Sequence, residues 1–238
     1  MNPGPAEPGI PVDVPIAVLS DVHANLPALE AVLSDIEALG VRIVFSLGDV
    51  IGYGHQPAEC IALVRGICAL SILGNHEVMA LAMSETNLRR MPEYIGQPLL
   101  LARDRFSTED RQWIESQPLH ARIGQLELSH ASRHEPKEFN YVFQPQDAAK
   151  HFQATAADVS FFGHTHLPVL WQEFGAPGQD PIAYEPVCTE IQLENDRRYA
   201  INVGSVGQPR DGDQRPCYVI YNPATRLLIF RRIELRLP

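Results

Sequence analysis

Five short stretches of this chain carry side chains of the kinds that hold divalent metal ions: Asp21-Val22-His23, Gly48-Asp49, Gly74-Asn75-His76-Glu77, Ser129-His130 and Gly163-His164-Thr165-His166. Taken singly, each has an ordinary explanation. Asp21 could cap a helix, Asn75 could sit in a turn, and the two histidines either side of Thr165 could belong to a solvated loop. Together they supply carboxylate, amide and imidazole donors with no cysteine among them, a set of intermediate hardness that suits Mn, Fe or Zn better than Ca or a thiolate-bound zinc. The donors are too many for one four-coordinate ion. Two ions sharing one carboxylate would use them all, and two-metal sites with a spacing of roughly 3.5–4 Å serve in-line attack on phosphorus. Water held between two such ions loses a proton far below its bulk pKa, so no protein nucleophile is required.

Each donor cluster follows an apolar run. Residues 15–20 (PIAVLS) read as a buried strand; behind it Leu26, Leu29, Leu33, Ile36 and Leu39 recur at helical spacing, with Asn25 as N-cap and Gly40 as the stop. The unit repeats as a strand over 41–47, a glycine-rich loop over 48–55 and a helix over 57–65, followed by a third strand over 67–73. Strands alternating with helices predict a mainly parallel sheet, whose carboxyl ends gather the loops into a ligand site. Residues 79–117 lack strand signals and read as helical pieces, one over 99–105 and one opened by Thr108-Glu109-Asp110, lying over the sheet or beside the site. Further on, 126–129 and 159–162 read as strands and 145–153 as a helix. The runs 169–174, 198–203, 217–221 and 227–233 read as antiparallel strands, with a surface loop at 175–180. The fold class is α/β with a second, more antiparallel sheet.

At 238 residues the chain is long enough for one α/β domain with a sizeable core. Its formal charge of −10 argues against non-specific binding to nucleic acid or anionic membrane, both of which need a basic surface. A phosphate ligand must then be attracted locally, which metal ions do. Cys60, Cys68, Cys188 and Cys217 form no C-x-x-C pair and read as free thiols of a reducing compartment. Residues 1–14, rich in Pro and Gly and without the regions of a secretory signal, read as a flexible tail ahead of a single domain over 15–238. No apolar run approaches the roughly 20 residues that span a bilayer. The expected location is the cytoplasm.

In their order, the five stretches resemble the signature of the calcineurin-like metallophosphoesterase superfamily, over about residues 16–230. The surrounding SDVHANLPALEAVL, GDVIGYGHQPAECIALV and INVGSVGQPRDGD are most similar to the small bacterial phosphodiesterase branch, which includes asymmetric diadenosine tetraphosphate hydrolases. The resemblance implies a four-layer α/β/β/α sandwich, two mixed sheets flanked by helices. It implies that Asp21, His23 and His166 hold one divalent ion, that Asn75, His130 and His164 hold another, and that Asp49 bridges them. His76 would stabilise or protonate the leaving-group oxygen. Arg210 could grip a second phosphate in a bidentate way, or pair at the surface with Asp211 or Asp213, while the glycines before it fit a tight turn against the metal loops. Tyr53 or His55 could reach the rim; turn filling is the preferred reading for both.

The protein Ser/Thr phosphatases of the superfamily carry an Asp and an Arg in the loop after the bridging Asp, and another Arg before Gly-Asn-His-Glu. This chain has Gly52, Tyr53 and Leu73 there, which removes the clamp for a phosphoserine dianion and the carboxylate that orients the histidine matching His76. The resemblance therefore implies hydrolysis of phosphodiester or nucleotide pyrophosphate bonds in small molecules, with two ions of Mn, Fe or Zn. The alternatives are a phosphomonoesterase acting on a phosphoprotein or sugar phosphate, and a non-catalytic scaffold such as the retromer subunit that shares the fold but lacks that histidine. The presence of His76 argues against the scaffold.

Overall fold

The computed structural model describes residues 13–174, 179–185 and 190–235. Most of the tail read at 1–14, most of the loop read at 175–180, and Cys188 lie outside the described residues. The first half runs β1 (Ile16–Leu19), α1 (Leu26–Ala38), β2 (Ile43–Ser46), α2 (Pro57–Ile67), β3 (Leu70–Ser71), α3 (Asn75–Ala82), α4 (Glu85–Arg90), α5 (Glu93–Arg105) and α6 (Thr108–Ser116). The second half runs β4 (His120–Ile123), β5 (Leu126–Ser129), α7 (Pro145–Gln153), β6 (Val159–Phe162), β7 (Val169–Glu173), β8 (Ile182–Tyr184), β9 (Glu190–Gln192), β10 (Arg198–Asn202), β11 (Cys217–Asn222) and β12 (Leu227–Arg232).

Two six-stranded sheets result, in the orders β3-β2-β1-β11-β12-β9 and β4-β5-β6-β10-β7-β8. Pairing is parallel among β1, β2 and β3 and among β5, β6 and β10; every other pair is antiparallel. Both sheets are therefore mixed. The simpler division into an early parallel and a late antiparallel sheet does not hold, because β11 returns to pair with β1. Period-2 alternation assigns the faces. Ile16 and Val18 of β1 and Val219 and Tyr221 of β11 pack against Leu128, Phe161 and Ile201 of the other sheet. The intervening Ala17, Leu19, Tyr218 and Ile220 pack against Leu29, Val32 and Ile36 of α1. On the far side Phe162 and Ala200 meet Ala148 and Phe152 of α7. The layers are α/β/β/α, as the resemblance implies.

Asn25 caps α1, its side chain accepting the Ala28 N–H at 3.3 Å, and Gly40 follows the helix at φ +70°. The predicted α7 and β6 have the observed bounds. The third strand is shorter than read, because the apolar residues from Pro57 through Ile67 continue the helical spacing of α2. Helix α5 begins at Glu93, ahead of the predicted 99–105, and runs through Pro98, a residue that usually breaks a helix. Helix α4 and strands β4, β8 and β9 carried no readable signal; they are short and largely exposed.

Asp35 ties α1 to strands β11 and β12 of the first sheet. It accepts two hydrogen bonds from the Arg231 guanidinium, at 2.7 and 3.0 Å, and one from the Tyr218 hydroxyl at 2.6 Å. Partial burial works to raise its pKa, but these donors outweigh it and hold the carboxyl below the ordinary 3.8. A depressed carboxylate contributes stability above its unfolded pKa and loses it as pH falls through the folded one. Asp35→Asn is thus expected to lower unfolding free energy in urea at pH 7, with the gap to wild type closing as pH drops below about 4. A gap that persists at pH 2 would remove the ionic explanation.

Candidate metal centre

Every predicted donor stands at the carboxyl end of a strand: Asp21 and His23 after β1, Asp49 after β2, Asn75 and His76 after β3, His130 after β5, and His164 and His166 after β6. β1, β2 and β3 belong to one sheet and β5 and β6 to the other, so both sheets contribute to one centre. The backbone bends sharply to deliver these side chains. Asp21, His23, Asp49, His164 and His166 all take φ values between +51° and +68°, a region that residues with side chains rarely occupy.

The donors converge as two groups. His166 Nε2 lies 3.3 Å from Asp21 Oδ1 and 3.0 Å from His23 Nε2. His130 Nε2 lies 3.0 Å from Asn75 Oδ1 and 3.1 Å from His164 Nδ1. Between the groups, Asp49 Oδ2 is 3.4 Å from His130 Nε2 and 3.9 Å from His23 Nε2. His23, Asp49 and His76 also converge within 4.8 Å, so distance alone admits His76 as a further donor.

Hydrogen bonding shows that these residues fit cations. His23, His130 and His166 donate Nδ1–H to the carbonyls of Ile51, Leu47 and Gln208, at 3.0, 2.8 and 2.6 Å. A carbonyl only accepts, so each ring carries a proton on Nδ1 and turns Nε2 inward. Burial, opposed by the nearby carboxylates, keeps His23 down at about 3 and His164 at about 4, so both are neutral and present lone pairs. Asp21 Oδ1 is buried and has no hydrogen-bond partner. Burial works to raise the Asp21 and Asp49 carboxyls, yet the surrounding histidines hold both well below the usual range. Burial also acts to lower His130, but Asp49 outweighs it and pushes the ring up to about 9, a proton standing where a cation would. So many buried acceptors facing one another are stable only with positive charge among them.

Residues 14–226 match the profile of the calcineurin-like phosphoesterase superfamily domain. The chain belongs to that superfamily. It is 36% identical to a metallophosphoesterase from Sphaerobacter thermophilus, whose crystal structure superposes with a TM-score of 0.82 over 93% of this chain and 89% of that one. An uncharacterized protein from Methanocaldococcus jannaschii is 34% identical over 223 residues, covering 92% of this chain and 87% of its own. A hypothetical protein from Pyrococcus horikoshii, 17% identical, shares the fold with a TM-score of 0.70 over 93% of this chain and 88% of that one. The protein is accordingly a metal-dependent phosphoric ester hydrolase of a family that uses divalent metals.

In this phosphoesterase the residues around the donors are as constrained as the donors themselves. The stretch from Asn202 to Gln208 braces the first loop: Ser205 Oγ–H and Gly207 N–H both donate to the Asp21 carbonyl, at 2.8 and 2.9 Å. A Cβ on Gly207 would fall 1.8 Å from the Val22 carbonyl oxygen, so the close approach admits only glycine. Asn202 donates to Gly163 O at 2.7 Å and Thr165 Oγ1 at 2.9 Å, fixing the turn that separates His164 from His166. Arg210 does not pair with Asp211 or Asp213, which are taken by Arg232 and Arg215. It donates to Gln208 Oε1 at 2.9 Å and to the Tyr53 hydroxyl at 3.3 Å, its guanidinium 5.9 Å above the Tyr53 ring. Tyr53 in turn packs on His23 at 4.7 Å and His76 at 4.9 Å, so it stands at the rim and is more than turn filling; His55 is exposed.

Two structural roles went unread in the sequence. Glu77 does not orient His76. Its carboxylate accepts the N–H groups of Asp49, Val50, Ile51 and Gly74 at 2.8–3.2 Å, tying the Asp49 loop to the start of α3. Burial and the neighbouring Asp49 charge push Glu77 up to about 7 against those donors. The only available signal was its position three residues beyond Gly74, the spacing of a capping box. Glu77→Ala is expected to leave buried donors unpaired, each costing about 1–3 kcal/mol, and so to shift the urea midpoint far below wild type. An unshifted midpoint would show that water replaces the carboxylate. Tyr141 stacks on His164, with ring centroids 4.2 Å apart and planes at 16°, a contact with no sequence signature.

Proposed function

We propose that this phosphoesterase hydrolyses phosphodiester or nucleotide pyrophosphate bonds of small molecules at a dinuclear centre. The observation that carries the reading is the meeting of two donor groups at the single carboxylate of Asp49. Asp21, His23 and His166 would hold one divalent ion and Asn75, His130 and His164 the other, with Mn, Fe and Zn all matching the nitrogen and oxygen donors. When bound, such ions polarise phosphoryl oxygens and lower the pKa of water, which supplies the nucleophile. Asp49 orients the groups on either side of it. His76, whose Nε2 lies 3.8 Å from Asp49 Oδ2, would stabilise or protonate the oxygen that leaves. Arg210 at the rim would meet a second phosphate or the ester's distal oxygen. Gly52, Tyr53 and Leu73 themselves supply no guanidinium to clamp a monoester dianion, which favours diesters.

Cys60 and Cys68 are free thiols, in keeping with a cytoplasmic protein. No described helix is long and apolar enough to cross a membrane. The decisive test is a panel of diadenosine polyphosphates, cyclic dinucleotides, bis-aryl phosphates and monoesters, each with Mn²⁺, Fe²⁺ and Zn²⁺ in turn. Diesters or dinucleotides are expected to exceed monoesters in kcat/KM; the reverse order would move the enzyme to the monoesterases.

A further inference from the structure

A cavity of about 510 Å³ lies against the turn that carries His166. Thr165 and Leu167, the neighbours of His166 in the chain, form part of its wall, and Pro168, Val169 and Trp171 continue it. Phe143 stands at its rim and joins it to the centre through stacked rings. Phe143 lies 4.9 Å from Tyr141 with planes at 21°, and Tyr141 lies 4.2 Å from His164 with planes at 16°. Tyr141 and Phe143 are 46% and 55% exposed, an arrangement that leaves flat aromatic surface in water between a metal donor and a cavity.

We infer that this cavity seats the nucleobase of a nucleotide ester whose phosphate occupies the metal centre, an assignment that rests on the phosphoesterase reading above. Its volume lies within the roughly 300–1,000 Å³ of small-molecule pockets. The exposed Phe143 ring and the apolar walls favour a planar group, because every base has a π-face that an aromatic side chain can cover. The polar end excludes a second phosphate subsite. Arg232 there carries Asp211, and Arg215 carries Asp213 and Glu234, so neither guanidinium is an unpaired cation. The same pairs still present both donors and acceptors, which is what the edge of a base requires.

The test uses the metal-loaded enzyme and two diesters with one leaving group, thymidine 5′-(p-nitrophenyl) phosphate and methyl p-nitrophenyl phosphate. The nucleoside ester is expected to be favoured in kcat/KM by about 10- to 100-fold, the range of base stacking on an aromatic side chain. Phe143→Ala removes the rim ring. Ala183→Trp fills the cavity from the exposed strand β8, where folding should tolerate it. Both variants, confirmed as folded by circular dichroism and melting, should bring the ratio to within about threefold of one. A wild-type ratio near one, or a high ratio that survives both substitutions, would overturn the assignment. Should neither ester be hydrolysed, the catalytic reading fails and the cavity is read by binding alone. Trp113 and Trp171 are the chain's two tryptophans, so Trp113→Phe leaves Trp171 as the reporter. Quenching by AMP at concentrations where ribose 5-phosphate gives none would support the cavity, and equal responses to both would remove it.

Discussion

Asp49→Ala is expected to yield protein that holds fewer than two equivalents of divalent metal and turns over no ester measurably, as read by elemental analysis and by hydrolysis of bis-p-nitrophenyl phosphate. Of the seven proposed ligands, Asp49 is the one whose oxygen faces both groups, 3.4 Å from His130 Nε2 and 3.9 Å from His23 Nε2. Removing it takes away the shared anion while His23, His130, His164 and His166 remain, and imidazoles hold two dications poorly without a carboxylate between them. The alanine also removes a second function. Asp49 Oδ1 accepts the His76 N–H at 2.9 Å and so caps α3, a contact worth about 1 kcal/mol. Asp49→Asn separates the two effects, since an amide oxygen can keep the cap while the charge is lost. It should melt near wild type and still lose metal. Two equivalents retained in Asp49→Ala would sink the shared-carboxylate assignment.

The donors were legible because they punctuate the sequence: each buried strand stops at a polar cluster, and that local contrast survives without knowledge of the fold. Asn25 and Gly40 were legible for the same reason, since caps are chosen by backbone geometry within a few residues. Sheet order was less accessible. β11 pairs with β1 across some 200 positions, and nothing local in residues 217–222 names Ile16 as the partner of Tyr221. Strands β8 and β9 went unread because exposed residues show no apolar alternation. At the site, the missing information was tertiary. The sequence left Arg210 between a phosphate and a surface carboxylate; the structure shows those carboxylates already paired and Tyr53 beneath the guanidinium. The stack of Tyr141 on His164 joins residues 23 positions apart that share no motif. Family resemblance supplied the division of ligands between two ions, which residue types alone had left open.

His76→Ala is expected to retain both equivalents of metal and to lose roughly 10²–10⁴-fold in turnover of esters with poor leaving groups, the range for removing a general acid. The distinction from a ligand matters, since His23, Asp49 and His76 converge closely enough to hold an ion by themselves. What orients the ring is packing. His76 Nδ1 is buried with no hydrogen-bond partner, and a Cβ on Gly52 would lie 2.0 Å from it, so the loop backbone closes off that side. Tyr53 and His23, each with centroids 4.9 Å away, pack against the ring. The ring is thus fixed with Nε2 toward Asp49 and the space where an ester would bind. A group that aids departure of the leaving oxygen matters most when that oxygen is basic, so the loss should be large for a nucleoside or alkyl leaving group and small for p-nitrophenolate. A loss of one metal equivalent in His76→Ala would make His76 a ligand. An equal loss for both kinds of leaving group, with metal intact, would confine it to holding the substrate in place.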